Sequence, residues 1–282
     1  CYVTTYSTSS QVLPAVQQVG RPVLVLNLQP TAQLTYAQTG TGEWLANCQA
    51  CCIPEISNAF ARCGIDFHVV TGLLGLEAQP EQALANEVTV DHPAAIAAWQ
   101  EIDDWLDAVR VKKVLNRSRI GFLGHTYPGM MDMYSDFTQH TAFLGVHIEV
   151  LEMEDVQSRV DAVGDDEIAA VKKKTEELFE ISEHSSSDPP AKKPTEEEMI
   201  WACRVAAGLD RVTADFDLHG LTYYYRGLDS NAFEQLGSSL ILGCSLLTAR
   251  GVPCSGEGDL KNCMAMKVIY LSLSLLVGNL RI

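Results

Sequence analysis

Three short β-rich runs, Tyr2 to Tyr6, Val23 to Leu28 and Phe67 to Thr71, are separated or followed by helical patterns at roughly 44–62 and 94–112. A second cycle starts at Arg119 to Leu123, passes a helix after Pro128 and returns to a strand at Val146 to Leu151. Parallel strands need crossovers of a dozen or more residues, usually helices, so this rhythm predicts an α/β fold with parallel sheets. The stretch Val109 to Ser118, basic and polar between two periodic regions, sets the expected boundary, with one domain at 1–115 and a second at 116–282. A chain of 282 residues can hold two such domains, each with its own core.

Charge narrows the partners. The net charge of −16 argues against nucleic acid, because a phosphate backbone is bound by clustered Lys and Arg. Residues 152 to 198 hold fifteen acids against six bases, the pattern of a solvated helical face and loop rather than an acidic binding site. Within that segment Ser185 to Pro190 reads as a loop, and Thr195 with Glu198 as a capping box for the next helix. The longest nearly apolar run, Val268 to Val277, is about half of the ~20 residues a spanning helix needs, so no membrane span is expected. No charged segment leads into an apolar one at the start, and Tyr2 to Tyr6 already reads as a strand, which leaves little room for a lipid tether at Cys1.

Nine cysteines, an odd number, read as reduced thiols of a cytoplasmic protein. Cys48, Cys51 and Cys52, with Cys63 beyond, suggest zinc at first sight. They lack a second pair of ligands, and the first three fall on one face of a probable helix, where they serve as small buried hydrophobes.

The candidate site is Pro253-Cys254-Ser255-Gly256-Glu257-Gly258-Asp259. Arg250 to Pro253 reads as a short buried strand and Asp259 to Val277 as an apolar helix, which puts Glu257 in a strand-to-helix turn, where α/β enzymes keep their chemistry. Glycines on both sides let a ligand or metal approach the backbone. The same acids could instead answer the dipole of the following helix, and spacing alone does not separate the two readings.

That turn closes a series of segments that together resemble the L-arabinose and L-fucose isomerase superfamily, in its arabinose-isomerase-like branch. They are Tyr2 to Tyr6 with Ser9 to Pro14, Pro22 to Pro30, Gly42 to Cys48, Ile120 to His125 with Pro128 to Tyr134, Tyr223 to Gly227, and Gly237 to Gly243. The resemblance implies two consecutive Rossmann-like (flavodoxin-like) units. It also implies that relatives begin with an earlier strand and helix and continue into a third domain bearing a second metal-binding glutamate and two histidines.

The implied activity is that of a metal-dependent aldose–ketose isomerase, which moves a proton between adjacent carbons through an enediol. A divalent cation such as Mn²⁺ holds the sugar oxygens, and paired carboxylates shuttle the proton. By the same resemblance Glu257 is a metal ligand and acid/base residue. Gln29 lies near the sugar of a neighbouring subunit, and Tyr127 and Tyr225 line the pocket in place of the family's usual Met and Phe types. His125 follows a strand and could touch a sugar hydroxyl. Alternatively Gln29 caps loop backbone, the tyrosines are core and His125 is a solvated turn residue. The expected partners are a small-molecule sugar and further copies of the chain in a homo-oligomer, with no nucleic acid and no membrane. A non-catalytic sugar-binding or assembly protein on the same α/β units is the competing reading.

Overall fold

The computed structural model describes residues 2–3, 8–37, 39–77, 88–182, 187, 192–226 and 231–276. Most of the Ser185 to Pro190 loop, Thr4 to Tyr6 of the first expected strand, Gly227 and Val277 lie outside them. The chain divides into two compact units, 1–107 and 108–282.

In the first unit β1 (Tyr2–Val3), β2 (Val23–Gln29) and β3 (Phe67–Leu73) form a parallel sheet in that order. Helices α1 (Ser9–Val19), α2 (Thr41–Ala46) and α3 (Gln49–Arg62) lie between strands, and α4 (Pro93–Leu115) follows β3. Alternate residues of β2 face opposite sides. Val23 and Val25 pack against Ile56 and Phe60 of α3 and Val12 and Val16 of α1, while Leu26 and Leu28 meet Ala98 and Ile102 of α4. The helix expected over 44–62 is thus two helices, with the chain turning at Asn47 and Cys48.

Val109 to Ser118 is not a polar linker over most of its length: α4 runs through it to Leu115. Val111 and Leu115 are buried in a core with Ile120 and Val146, and their apolar faces outweigh the basic residues around them. The division between units therefore falls inside a helix.

The second unit holds a four-stranded parallel sheet of β4 (Arg119–Gly124), β5 (His147–Leu151), β6 (Gly220–Tyr224) and β7 (Cys254–Ser255), ordered β5-β4-β6-β7. A 3-10 turn at Met131–Met133 and then α5 (Phe137–Leu144) follow β4. Helices α6 (Met153–Asp161), α7 (Asp165–Leu178) and α8 (Glu196–Asp215) fill the long crossover from β5 to β6. Then come α9 (Ala232–Ser238), α10 (Ile241–Ala249) and, after β7, α11 (Leu260–Leu276).

Strand β4 is buried on both faces, which explains its nearly unbroken apolar sequence. Ile120 faces α11 at Leu260 and Cys263, whereas Leu123 and Leu221 face Val156 of α6, Leu209 of α8 and Leu247 of α10. The Thr195 capping box opens α8, with Glu198 N–H donating to Thr195 Oγ1 at 3.2 Å and Thr195 N–H to Glu198 Oε2 at 2.7 Å. Arg250 to Pro253, expected as a strand, instead carries the chain off the end of α10 through Gly251, and pairing with β6 begins only at Cys254.

Candidate functional site

Strand order in the second unit reverses direction between β4 and β6. The crevice at the carboxyl ends of the strands flanking such a switch is where open α/β sheets bind ligands. His125 and Tyr127 follow β4, Tyr225 follows β6 and Glu257 follows β7, all at that end of the sheet.

Backbone hydrogen bonds join these loops. His125 N–H donates to Tyr224 O at 3.2 Å, Tyr127 N–H to Glu257 O at 2.8 Å, and Gly258 N–H to Tyr223 O at 2.9 Å. Gly258 has φ +66°, and a Cβ there would sit 2.5 Å from His125 O and 2.7 Å from Thr126 Cα. This glycine thus admits the chain's own neighbouring loop rather than a ligand. Gly256 borders open space.

Glu257 itself is exposed and has φ +61°, the left-handed region that costs a residue with a Cβ about 1–2 kcal/mol. Asp217 is the other such described residue, and it closes helix α8, where Leu218 N–H reaches back to Thr213 O at 2.8 Å. No helix ends at Glu257. The cap of α11 is supplied two residues later by Asp259, whose Oδ1 accepts from Asn262 N–H at 3.0 Å. The dipole-answering role is therefore filled by Asp259, and the strained carboxylate is directed to solvent at the strand ends.

Three rings stand over the switch. Tyr224 meets His125 edge-on at 5.0 Å between centroids and Tyr127 at 4.9 Å. The His125 Nδ1 lies 2.8 Å from Thr126 O, and since a carbonyl only accepts, Nδ1 is the donor in that contact, which leaves Nε2 for a ligand. The imidazole beside the exposed Tyr127 and the half-buried Tyr224 offers hydrogen-bonding groups and ring faces of the kind that suit a polyhydroxyl ligand.

Tyr225 lies elsewhere. One residue beyond β6, it packs with Tyr223 against the core of Leu221 and Leu236. It packs on Phe233, and its hydroxyl donates to Asn231 Oδ1 at 2.9 Å. Tyr224 was not singled out from the sequence. The period-2 alternation along β6 is the signal that separates it from Tyr223. On the other side, burial with the Cys244 and Cys254 thiols close by pushes the Tyr223 hydroxyl up to about 12.

Gln29 ends β2 in the first unit, half-buried, with its carbonyl accepting from Leu74 N–H at 2.8 Å. Of the three cysteines expected on one buried helix face, Cys48 and Cys52 are buried but Cys51 is exposed, and Cys63, which follows the last turn of α3, is exposed as well.

A hard divalent cation prefers oxygen donors, and Glu257 offers one exposed carboxylate. Among the described residues no three His, Cys, Asp or Glu side chains form a metal-ligand group. These described residues alone do not make a complete cation site. Nor is any helix among them long and apolar enough to cross a membrane.

Residues 135–273 match the family model of the L-arabinose isomerase central domain. The match covers most of the second unit, from just before α5 into α11, and includes Tyr225 and Glu257. No curated protein matches the chain. The second unit is thus arabinose-isomerase-like in sequence.

Proposed function

We propose that this chain contributes its α/β units to a cytoplasmic, homo-oligomeric aldose–ketose isomerase acting on a pentose or deoxyhexose, with Glu257 as a ligand to Mn²⁺ or a similar divalent cation. The observation that carries the reading is Glu257 itself. An exposed glutamate held in a left-handed turn at the end of a parallel sheet, with the helix cap already supplied by Asp259, has no structural reason to be a glutamate. The family match over 135–273 supports the same assignment.

The chain's own residues then have distinct tasks. The His125 ring hydrogen-bonds a sugar hydroxyl through Nε2, and Tyr127 and Tyr224 flank the sugar's apolar face. The carboxylate of Glu257 is the proton acceptor toward the substrate; a divalent cation held there would take Glu257 as one of its ligands and would supply charge stabilisation on the sugar oxygens. The remaining ligands come from outside the described residues.

The test compares Glu257→Gln and Glu257→Gly with the parent in the complete protein, including any sequence beyond this chain, on L-arabinose and L-fucose with Mn²⁺. Glutamine keeps the volume but not the anion or proton acceptor, so turnover should fall ~100-fold or more with bound metal lost. Glycine should abolish turnover while raising stability by about 1 kcal/mol through relief of the left-handed backbone. A Glu257→Gln protein that keeps its metal and rate overturns the assignment. The absence of a three-ligand group among the described residues favours a second reading, a sugar-binding protein without turnover. Saturable sugar binding, equal in the parent and Glu257→Gln, with no isomerised product in either, would select it.

A further inference from the structure

Helix α3 opens with a Cys-X-X-Cys sequence, Cys48-Gln49-Ala50-Cys51. Cys48 is the N-cap and Cys51 the third helical residue, so both lie on the same side of the first turn. Cys51 N–H donates to Cys48 O at 3.0 Å, so the two residues share the first turn of the helix, where residues three apart have Cα atoms about 5 Å from each other, within the range a disulfide spans. Cys48 is only 2% exposed, while Cys51 is open to solvent.

Other thiols are poorly placed to compete. Cys52 also neighbours Cys48, its N–H donating to Cys48 O at 3.3 Å, but it is turned into the core with Val23, Val25, Ile56 and Phe60, where a small disulfide in solution does not reach it first. Cys63 lies at the far end of the 14-residue helix, about 20 Å away at 1.5 Å per residue, far beyond the 4.4–6.8 Å Cα separation of a disulfide.

We propose that Cys48 and Cys51 are a dithiol site that closes reversibly to a disulfide by exchange with a low-molecular-weight disulfide. The exposed Cys51, as its thiolate, attacks one sulfur of the small disulfide, forms a mixed disulfide and releases one small thiolate. Cys48 then gives up its proton and attacks the Cys51 sulfur, expelling the second small thiolate. The protein loses two electrons and two protons, and the small disulfide is reduced to two thiols. Burial and the neighbouring Cys51 thiol raise the Cys48 pKa, which makes it the second reactant rather than the first. The site adjoins the sheet through Gln49, whose Nε2 donates to Leu28 O at 3.3 Å and to Ala46 O at 3.2 Å. It stands independently of the sugar-isomerising reading.

The folded chain is incubated with oxidised glutathione, blocked by alkylation, digested and weighed. The expected product is a peptide two hydrogens lighter, linked between Cys48 and Cys51 and reopened by dithiothreitol. Cys51→Ser, at an exposed position, should lose the link completely, and Cys48→Ser should trap glutathione on Cys51. Circular dichroism confirms that each variant is folded. Three results overturn the proposal: glutathione remaining on Cys51 in the parent, Cys51 linked to a cysteine other than Cys48, or Cys51 left unreacted.

Discussion

The two units share parallel strands covered by helices on both faces, yet they differ in how their buried polar groups are satisfied. In the first, Asn27 Oδ1, Gln49 Oε1 and Ser57 Oγ are buried and have no hydrogen-bond partner among the described residues. The Gln49 case cannot be repaired by turning the amide over, because its nitrogen already donates to two carbonyls. In the second, the buried hydroxyls of Ser118, Thr175, Thr213, Thr222 and Ser255 all have partners. An unpaired buried polar atom costs about 1–3 kcal/mol. Thr222 and Ser255 tie β6 to β7 beside the candidate turn, which helps hold the parts of a site in place, while Ser118, Thr175 and Thr213 bond back to carbonyls of α4, α7 and α8. The first unit carries a cost that the second avoids.

The sharpest probe of that difference is a pair of glycines with nearly equal backbone angles. Gly20 ends α1 with φ +60° and has nothing near its missing Cβ; Gly258 has φ +66° and the backbone of His125 and Thr126 against it. Gly20→Ala should cost about 1–2 kcal/mol, the left-handed penalty alone. Gly258→Ala must also push apart two backbone segments, for a total of about 3 kcal/mol or more. Chemical denaturation of both variants measures this, and equal losses would show that the second unit's loops are not locked together.

Two serine deletions should differ in sign. Ser255 is 3% exposed and its hydroxyl donates to Asp259 O at 2.7 Å while lying 2.9 Å from Thr222 Oγ1, so Ser255→Ala should cost about 1–2 kcal/mol. Ser57 sits inside α3 with its buried hydroxyl unpaired among the described residues. Ser57→Ala removes that burden and improves helix propensity, for a gain of up to about 1 kcal/mol. Melting curves for the two variants that shift in the same direction would break the comparison.

What could be read from sequence follows the same physics. The parallel α/β class was legible because β2, β3 and β4 are short apolar runs set apart by helical stretches. The Thr195 capping box was legible because its geometry is local. The course of Arg250 to Pro253 was not, since those residues look apolar enough for a strand while Lys267 and Tyr270, far along the chain, pack on Gly251. Continuation of α4 to Leu115 depended likewise on Ile120 and Val146 burying Val111 and Leu115. At the candidate site, Glu257 stood out by its flanking glycines. Its left-handed backbone and the part played by Tyr224 arise from loop contacts that no local pattern encodes.

The smallest effect concerns the flank of the second unit. His140 on α5 has its pKa lowered from 6.5, first by burial and then by Lys261 of α11, against a weaker opposing pull from Asp136. A histidine that resists protonation when folded binds its proton more readily when unfolded. As pH falls below 6.5 the unfolded chain takes up a proton that the folded one does not, and stability declines until the lowered folded pKa is passed. Above 6.5 both states are neutral, and this residue contributes no slope. His140→Asn keeps a polar side chain without the titration, so its stability should lose that part of the pH dependence below 6.5 and match the parent's slope above it. Denaturant titrations of the two proteins across this range provide the test. An unchanged slope in the variant would mean that the acid sensitivity of the second unit comes from its carboxylate pairs, of which Glu167 is the clearest. The Arg211 guanidinium and the Gly164 N–H hold Glu167 below the usual carboxylate range, so its contribution fades only at more acid pH.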